Sequence, residues 1–419
     1  MGLGSQELKK GINIIGYFQG SFGLGESARL IADSLQNNLI PFSLISADLL
    51  MEERPHENFR GSLEKHFVYP INLFCLDPRH LFPFIRRYGW DAVRNRHNIG
   101  MCFWETNVLP NTHRKMWGHL DEIWTATRYV QEHLSIATSV PVYHVSQPVR
   151  LAYTAGNLGE GEKSSFGLPN KFTFLFCFCF HSVIGRKNPL AIIKAFRQAF
   201  PDRQDVQVVI KSQNGHFYPE SLNSIMESIK DDPRIIWIDQ NFSSQRRFDL
   251  MNACDCYISL HRSEGFGLTM AEAMLLNKPV IATAYSGNLD FMTEENSFLC
   301  SYTLVRIGND GRGIYPPEGI WADVDIDQAA YWMNYVVTHP SEAKAKALQG
   351  KEYILKHHSC TSIGKKIAGR IAKINLPPKP KPIPWVYSKN KIIQLARSKL
   401  GPVKRSLKKT FSFDKTTRK

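Results

Sequence analysis

The stretch SEGFGLTMAEAM, residues 263–274, sets two carboxylates, Glu264 and Glu272, on either side of a glycine-rich turn that runs into a helical segment. An ionised carboxylate is an acceptor that can bind two vicinal hydroxyls. Gly265 and Gly267, flanking Phe266, let backbone approach a ligand where a Cβ would stand in the way. A purely structural reading also exists, since Thr269 followed three residues later by Glu272 is the pattern of a capping box. It accounts for Glu272 and leaves Glu264 and the glycines over.

Cations stand at comparable points of the chain. In HSVIGRKNPLAIIKAF, Arg186 and Lys187 come just before a helix opened by Pro189, and Lys211 ends the strand-like VQVVIK. Strand C-termini are the edge at which parallel sheets bind ligands, and an arginine forks two phosphate oxygens. Solvated loop charge is the alternative for the Arg-Lys pair taken alone. Carboxylates suited to hydroxyls, beside cations suited to phosphates, describe recognition of a nucleotide sugar.

A second glycine-rich turn lies near the start, in GYFQGSFGLGESARL, with Gly20, Gly23 and Gly25 in the turn and a helix from Glu26 onward. Such a turn exposes unpaired amides and a positive dipole end to an anion. Its spacing is neither the dinucleotide fingerprint nor a P-loop, and tight packing explains it equally well. The eight cysteines read as buried free thiols, because a C-x-C pair is not a four-ligand zinc site. Asp323-x-Asp325 reads as structural, with Asp327 as a helix cap. No metal or other cofactor is expected, since protein cations can stabilise a leaving diphosphate. No Ser-His-Asp or Cys-His spacing marks a protein nucleophile.

The elements that must position these groups form two series. Apolar runs at INIIGYF, INLFCL, IGMCF, EIWTAT and PVYHVS, and then at FTFLFCFCF, VQVVIK, RIIWID, CYISL and PVIATA, alternate with helical stretches. That pattern implies an α/β protein of two doubly wound parallel sheets. The segment 153–171, rich in Gly, Ser and charge, reads as the linker. The expected divisions are a first domain over 1–160, a second over 161–345, C-terminal helices over 346–376 that return to the first domain, and a basic tail over 377–419. The formal charge of +14 belongs mostly to that tail, where thirteen Lys or Arg stand against Asp414 alone, so the body is nearly neutral and no specific nucleic-acid partner is expected. Trp385, Tyr387, Phe411 and Phe413 among the tail's cations suit an anionic membrane surface; a solubilising tail is the alternative. The N-terminus lacks an apolar signal core, and FTFLFCFCF falls far short of the about 20 residues of a membrane span. A cytoplasmic protein, peripheral at the inner face of the membrane, is the expectation.

The chain resembles the retaining GT-B glycosyltransferases of family 4, also called group 1, whose mark is a glutamate, seven residues and a second glutamate. SEGFGLTMAEAM has that spacing, followed by the strand and glycine turn of KPVIATAYSGN, and the likeness runs over most of residues 12–375. The resemblance implies a GT-B fold with a central cleft and a hexosyl transfer, with retention, from a UDP- or GDP-type donor to a glycan or lipid-linked acceptor. It also implies that Glu264, Arg186 and Lys187 act at the transferred sugar and diphosphate. Glu272 would bind the ribose, and Gly265, Phe266, Gly267, Lys211, His181, Gly23 and Gly25 would line the donor site. Two positions depart from the family: His181 stands where many relatives carry an arginine, and Trp104-Glu105 where many carry a histidine before the acid. Glu105 is taken as an acceptor-side contact. The rival classes are an inactive scaffold of the same fold and a protein that acts on nucleic acid or membrane through its basic tail.

Overall fold

The computed structural model describes residues 10–50, 59, 61–117, 119–151 and 162–376. In the first lobe β1 (Ile12–Gly16), β2 (Phe42–Ser46), β3 (Ile71–Cys75), β4 (His97–Cys102), β5 (Glu122–Thr125) and β6 (Val142–His144) form one sheet in the order β2-β1-β3-β4-β5-β6. In the second, β7 (Phe172–Cys177), β8 (Val206–Ser212), β9 (Ile235–Asp239), β10 (Cys256–Ser259), β11 (Val280–Thr283) and β12 (Phe298–Cys300) run β12-β11-β10-β7-β8-β9. Every pairing in both sheets is parallel. The fold is therefore α/β with two doubly wound sheets, in which the strand order reverses between β1 and β3 and between β7 and β10. Those reversals leave crevices at the strand C-termini.

Helices cover both faces: α1 (Gly23–Asn37), α2 (Leu81–Tyr88), α3 (Asp91–Arg94), α4 (Asn111–Trp117) and α5 (Arg128–Ala137) belong to the first lobe. The second carries α6 (Ile184–Lys187), α7 (Pro189–Ala199), α8 (Pro219–Ile229), α9 (Ser244–Ala253), α10 (Leu268–Leu275), α11 (Ile326–Thr338) and α12 (Pro340–His357). Strand β7 shows why the chain needs two layers. Phe174 and Phe176 point into the core shared with α7, and Leu175 and Cys177 into the core shared with α10, all nearly inaccessible to water. An antiparallel pair, β13 (Tyr302–Arg306) and β14 (Ile320–Val324), stands apart from the sheets.

Helix α13 (Cys360–Ala372) lies on the first lobe. Gly364 abuts Ser34 and Asn38 of α1, Ile363 and Ile367 are buried, and Arg370 pairs with Glu122 of β5. A division at 345/346 cuts α12, which is continuous and packs on the second lobe through Gly350 against Met274; the chain crosses over near Ser359 instead. Likewise, part of the segment 153–171 belongs to the second lobe, because Lys163 bonds the Lys171 carbonyl at 2.6 Å and the Asp255 carboxylate at 2.7 Å. Tail residues 377–419 lie outside the described residues. Among those described, no helix is long and apolar enough to cross a membrane.

Three local expectations are corrected. Helix α1 begins at Gly23 rather than Glu26, with the Glu26 amide donating to the Phe22 carbonyl at 3.0 Å, so Gly23 and Gly25 are in its first turn. No capping box opens α10: Gly267, at φ +93, is its N-cap, which places Thr269 inside the helix and turns the Glu272 carboxylate elsewhere. Asp325, not Asp327, caps α11, accepting from the Gln328 amide at 3.1 Å.

Candidate active site

Glu264 leaves the C-terminus of β10 and Arg186 and Lys187 follow β7, two adjacent strands at the reversal of the second sheet. Their charges meet. Arg186 Nη1 lies 3.0 Å and Lys187 Nζ 2.5 Å from separate oxygens of Glu264. The backbone fixes the arrangement, with Arg186 donating to the Ser263 carbonyl at 2.7 Å and the Glu264 amide to Ser286 Oγ at 2.8 Å. Gly287 must be glycine here, because a Cβ would come within 2.7 Å of the Glu264 carbonyl oxygen. Burial opposes ionisation of Glu264, but Arg186 and Lys187 outweigh it and hold the carboxyl at about 2.

The first lobe supplies a second carboxylate. Glu105, after β4, lies 3.5 Å from Arg186 Nη2 and accepts from Tyr315 Oη at 2.9 Å, while Ser263 donates to the Glu105 carbonyl. Arg186, 3% exposed, is thus held between carboxylates from the two lobes, and its buried Nε has no hydrogen-bond partner among the described residues. Thr127 donates to the Gly265 carbonyl at 3.0 Å, and the Arg128 amide to Asp290 at 3.1 Å, so the lobes meet along the same seam.

A cleft of about 590 Å³ between the lobes is lined by Glu105, Gly23, His181, Arg186, Lys187, Lys211, Glu264, Gly265, Phe266 and Gly267. Ten of the residues expected from sequence therefore share one hollow. Two do not line it. Gly25 is a packing glycine, since a Cβ would stand 2.7 Å from the Tyr17 carbonyl oxygen. Glu272, 1% exposed, lies beneath the cleft, its carboxylate forked by Arg247 of α9, with Nη2 to Oε1 at 3.1 Å. Burial pushes the Glu272 carboxyl up and Arg247 restrains that rise. His181 lines the cleft with Nδ1 3.1 Å from Tyr218 Oη. A second hollow of about 920 Å³, which shares Glu26 and Arg29 of α1 with this cleft, contains none of the expected residues.

Sequence reasoning missed Arg247, Tyr315, Phe242, Asp77 and His113, all of which belong to this region. Tyr315 arrives on the β13–β14 connection and Arg247 on the crossover from β9 to β10; neither has a local motif. Asp323 of the D-x-D pair bonds Arg262 at 3.0 Å. No group of three or more His, Cys, Asp or Glu that could hold a metal occurs among the described residues.

Two facing parallel-sheet lobes with this crevice define the GT-B glycosyltransferase fold. Residues 163–303, the second lobe's sheet and site, match the family model for glycosyl transferases group 1. Among solved structures the chain is similar to HepE of Anabaena in complex with UDP and glucose, at 14% identity and TM-score 0.60 over 87% of this chain and 99% of that one. Sucrose-phosphate synthase of Thermosynechococcus elongatus gives 12% identity and TM-score 0.60 over 86% and 98%. A variant of S. aureus TarM, solved with UDP, fondaparinux and alpha-GlcNAc-glycerol, gives 14% and 0.53 over 72% of this chain, which spans 55% of that protein. No curated protein matches the chain.

Proposed function

We propose that the protein transfers a hexose from a UDP- or GDP-type donor to a glycan or lipid-linked acceptor with retention of configuration, as in family 4. The observation that carries this reading is the position of Arg186, between Glu264 of the donor lobe and Glu105 of the other, with Lys187 on the same carboxylate. In the cleft these two cations balance two carboxylates, so an arriving diphosphate competes for Arg186 and Lys187, and Arg186 Nε, without a partner among the described residues, offers it a first donor. The amides opening α10 at Gly267 and Leu268 add a dipole end suited to an anion. As the bond to the diphosphate breaks, its growing charge meets these groups in a site that excludes much of the water.

Glu264 is held ionised beside the place of the transferred sugar and supports the positive character of the anomeric carbon. The acceptor hydroxyl approaches from the leaving-group face and its proton passes to the departing phosphate, which calls for no protein nucleophile. Glu272 serves the ribose hydroxyls once Arg247 yields, and Glu105 with Tyr315 meets the acceptor side. The basic tail at 377–419 would hold the enzyme at the cytoplasmic face of an anionic membrane, where a lipid-linked acceptor lies. The test is a thermal-shift screen of nucleotide sugars, followed by transfer to glycan acceptors with the product anomer read by NMR. Stabilisation by one donor that Glu272→Ala weakens, and a retained anomer, support the proposal; no shift with any nucleotide sugar overturns it.

A further inference from the structure

One cation in the cleft has no ion-pair contact among the described residues. Lys211, 3% exposed at the end of β8, lines the cleft and lies within 4 Å of no carboxylate among the described residues. Its one hydrogen bond among the described residues, to Gln213 Oε1, is 3.5 Å long, and its ammonium sits 5.1 Å from the centre of the Phe242 ring. An ammonium has three N–H donors and no acceptor, so the protein leaves at least two of them for something else. Burial, with Arg247 nearby, holds its pKa below the ordinary lysine value.

Its place along the sheet says what that something is. Across the C-terminal edge in the order β10-β7-β8-β9, Glu264 follows β10, Arg186 and Lys187 follow β7, Lys211 ends β8 and Phe242 follows β9. Neighbouring strands are about 4.8 Å apart, so Phe242 stands roughly 14 Å across the sheet from the β10 end. An elongated ligand with its sugar at Glu264 and its diphosphate at Arg186 and Lys187 carries its far end to Lys211 and Phe242. A nucleoside diphosphate has at that end a flat ring with an edge of donors and acceptors, while the buried Phe242 ring, with Lys211 and Arg246 both over it at 5.1 and 5.0 Å, holds the ammonium in place.

We propose that Lys211 reads the nucleobase. Its ammonium donates to the carbonyl at C4 of uracil or C6 of guanine, and the site rejects cytosine and adenine, whose amino groups at those positions would bring donor against donor. This rests on the donor site proposed above and assigns Lys211 to the base rather than to the diphosphate.

The test is isothermal titration of the full-length protein with UDP, CDP, GDP and ADP, for wild type, Lys211→Met and Lys211→Gln. Wild type binds UDP over CDP, and GDP over ADP, by about tenfold to a hundredfold, the worth of a hydrogen bond to a charged group. Lys211→Met closes both gaps by weakening UDP and GDP. Lys211→Gln, whose amide can accept as well as donate, closes them by admitting CDP and ADP. Equal wild-type binding of all four, or an equal loss of all four in Lys211→Met, overturns the assignment while leaving the donor site standing. Failure of all four to bind wild type removes the donor site itself. The wild-type comparison needs no variant to fold.

Discussion

The two glutamates of SEGFGLTMAEAM, eight positions apart, live in opposite electrostatic conditions. Glu264 faces two cations and shares one of them with Glu105 of the other lobe, and its carboxyl is held at about 2. Glu272 is buried more deeply, faces one arginine from its own lobe, and its carboxyl is pushed up. The same residue type therefore does two jobs. One is a fixed charge at the seam where the lobes meet, and on the proposed function the other would be a reserve acceptor whose use depends on moving Arg247.

Removing the shared cation should break this comparison most severely. In Arg186→Met, Glu264 keeps only Lys187 and Glu105 loses its charged partner, so two carboxylates face each other in a buried seam. A stability loss of about 3–5 kcal/mol is expected from such an orphaned pair, measured by urea denaturation. The transfer rate at saturating donor should fall by about 10²- to 10³-fold in protein that remains folded. A variant with near wild-type turnover would show that Arg186 serves structure alone.

The second test separates the glutamates kinetically. Glu264→Gln should lower kcat by about 10²-fold with little change in donor KM, as expected of a group that acts mainly in the transition state. Glu272→Gln should raise donor KM by about tenfold with kcat nearly kept, the mark of lost ground-state binding. In combination with Arg247→Met, Glu272→Gln should cost less than the sum of the singles, since each single change leaves a buried partner unmatched. Identical kinetic profiles for the two glutamines would erase the distinction.

Much of the site could be read from the chain because its groups follow strands. Glu264, Arg186, Lys187 and Lys211 each come just after or at the end of a continuous apolar run, and parallel winding brings such ends to one edge. What could not be read depends on contacts between distant segments. Arg247 meets Glu272 only because the β9–β10 crossover lays α9 beside α10. Tyr315 rides on a connection whose flanking strands, β13 and β14, pair antiparallel outside the main sheets, and β13 is largely exposed, so it has no apolar run to announce it. Strands β2 and β12 were passed over for related reasons: FSLIS has serines at two of its five positions, and FLC is only three residues long. The capping-box pattern misled because Gly267, free to take φ +93, starts the helix before Thr269.

Acid should reach the seam in a set order. His358, beside the crossover between lobes, lies 3.1 Å from Ser146 Oγ and 3.2 Å from the Gln147 carbonyl, and burial brings its pKa from 6.5 down to about 4. The unfolded chain then binds a proton that the folded chain refuses. Stability is fully present above pH 6.5 and falls toward about 4, by up to about 3 kcal/mol from this group. Glu264 has a carboxyl likewise depressed, from 4.5 to about 2, so its contribution is present above 4.5 and is lost only below that. Denaturation midpoints between pH 7.5 and 4.5, on the scale set by these values, should therefore drop before Glu264 matters, with Glu272, whose carboxyl is pushed up, opposing the drop as it takes up its proton. His358→Gln should flatten part of that slope, with His113, His144 and His261, also depressed by burial, keeping the remainder.

The smallest expected effect sharpens the role of the first lobe. Tyr315, 5% exposed, donates to Glu105 Oε2 at 2.9 Å and rests its ring on Trp104 with centroids 5.3 Å apart. Tyr315→Phe keeps the ring packing and removes only the hydroxyl. Glu105 retains Arg186 and faces the cleft, where water can replace the lost donor, so the cost should be about 1 kcal/mol, or a factor of about five in kcat/KM. The change should appear with the acceptor varied and leave nucleotide affinity alone, because Arg186 keeps its contacts to both Glu264 and Glu105. If instead Tyr315→Phe weakens nucleotide binding as much as Glu272→Gln does, the Glu105–Tyr315 pair is shaping Arg186 for the diphosphate. The two lobes would then divide the work by charge balance and not by substrate.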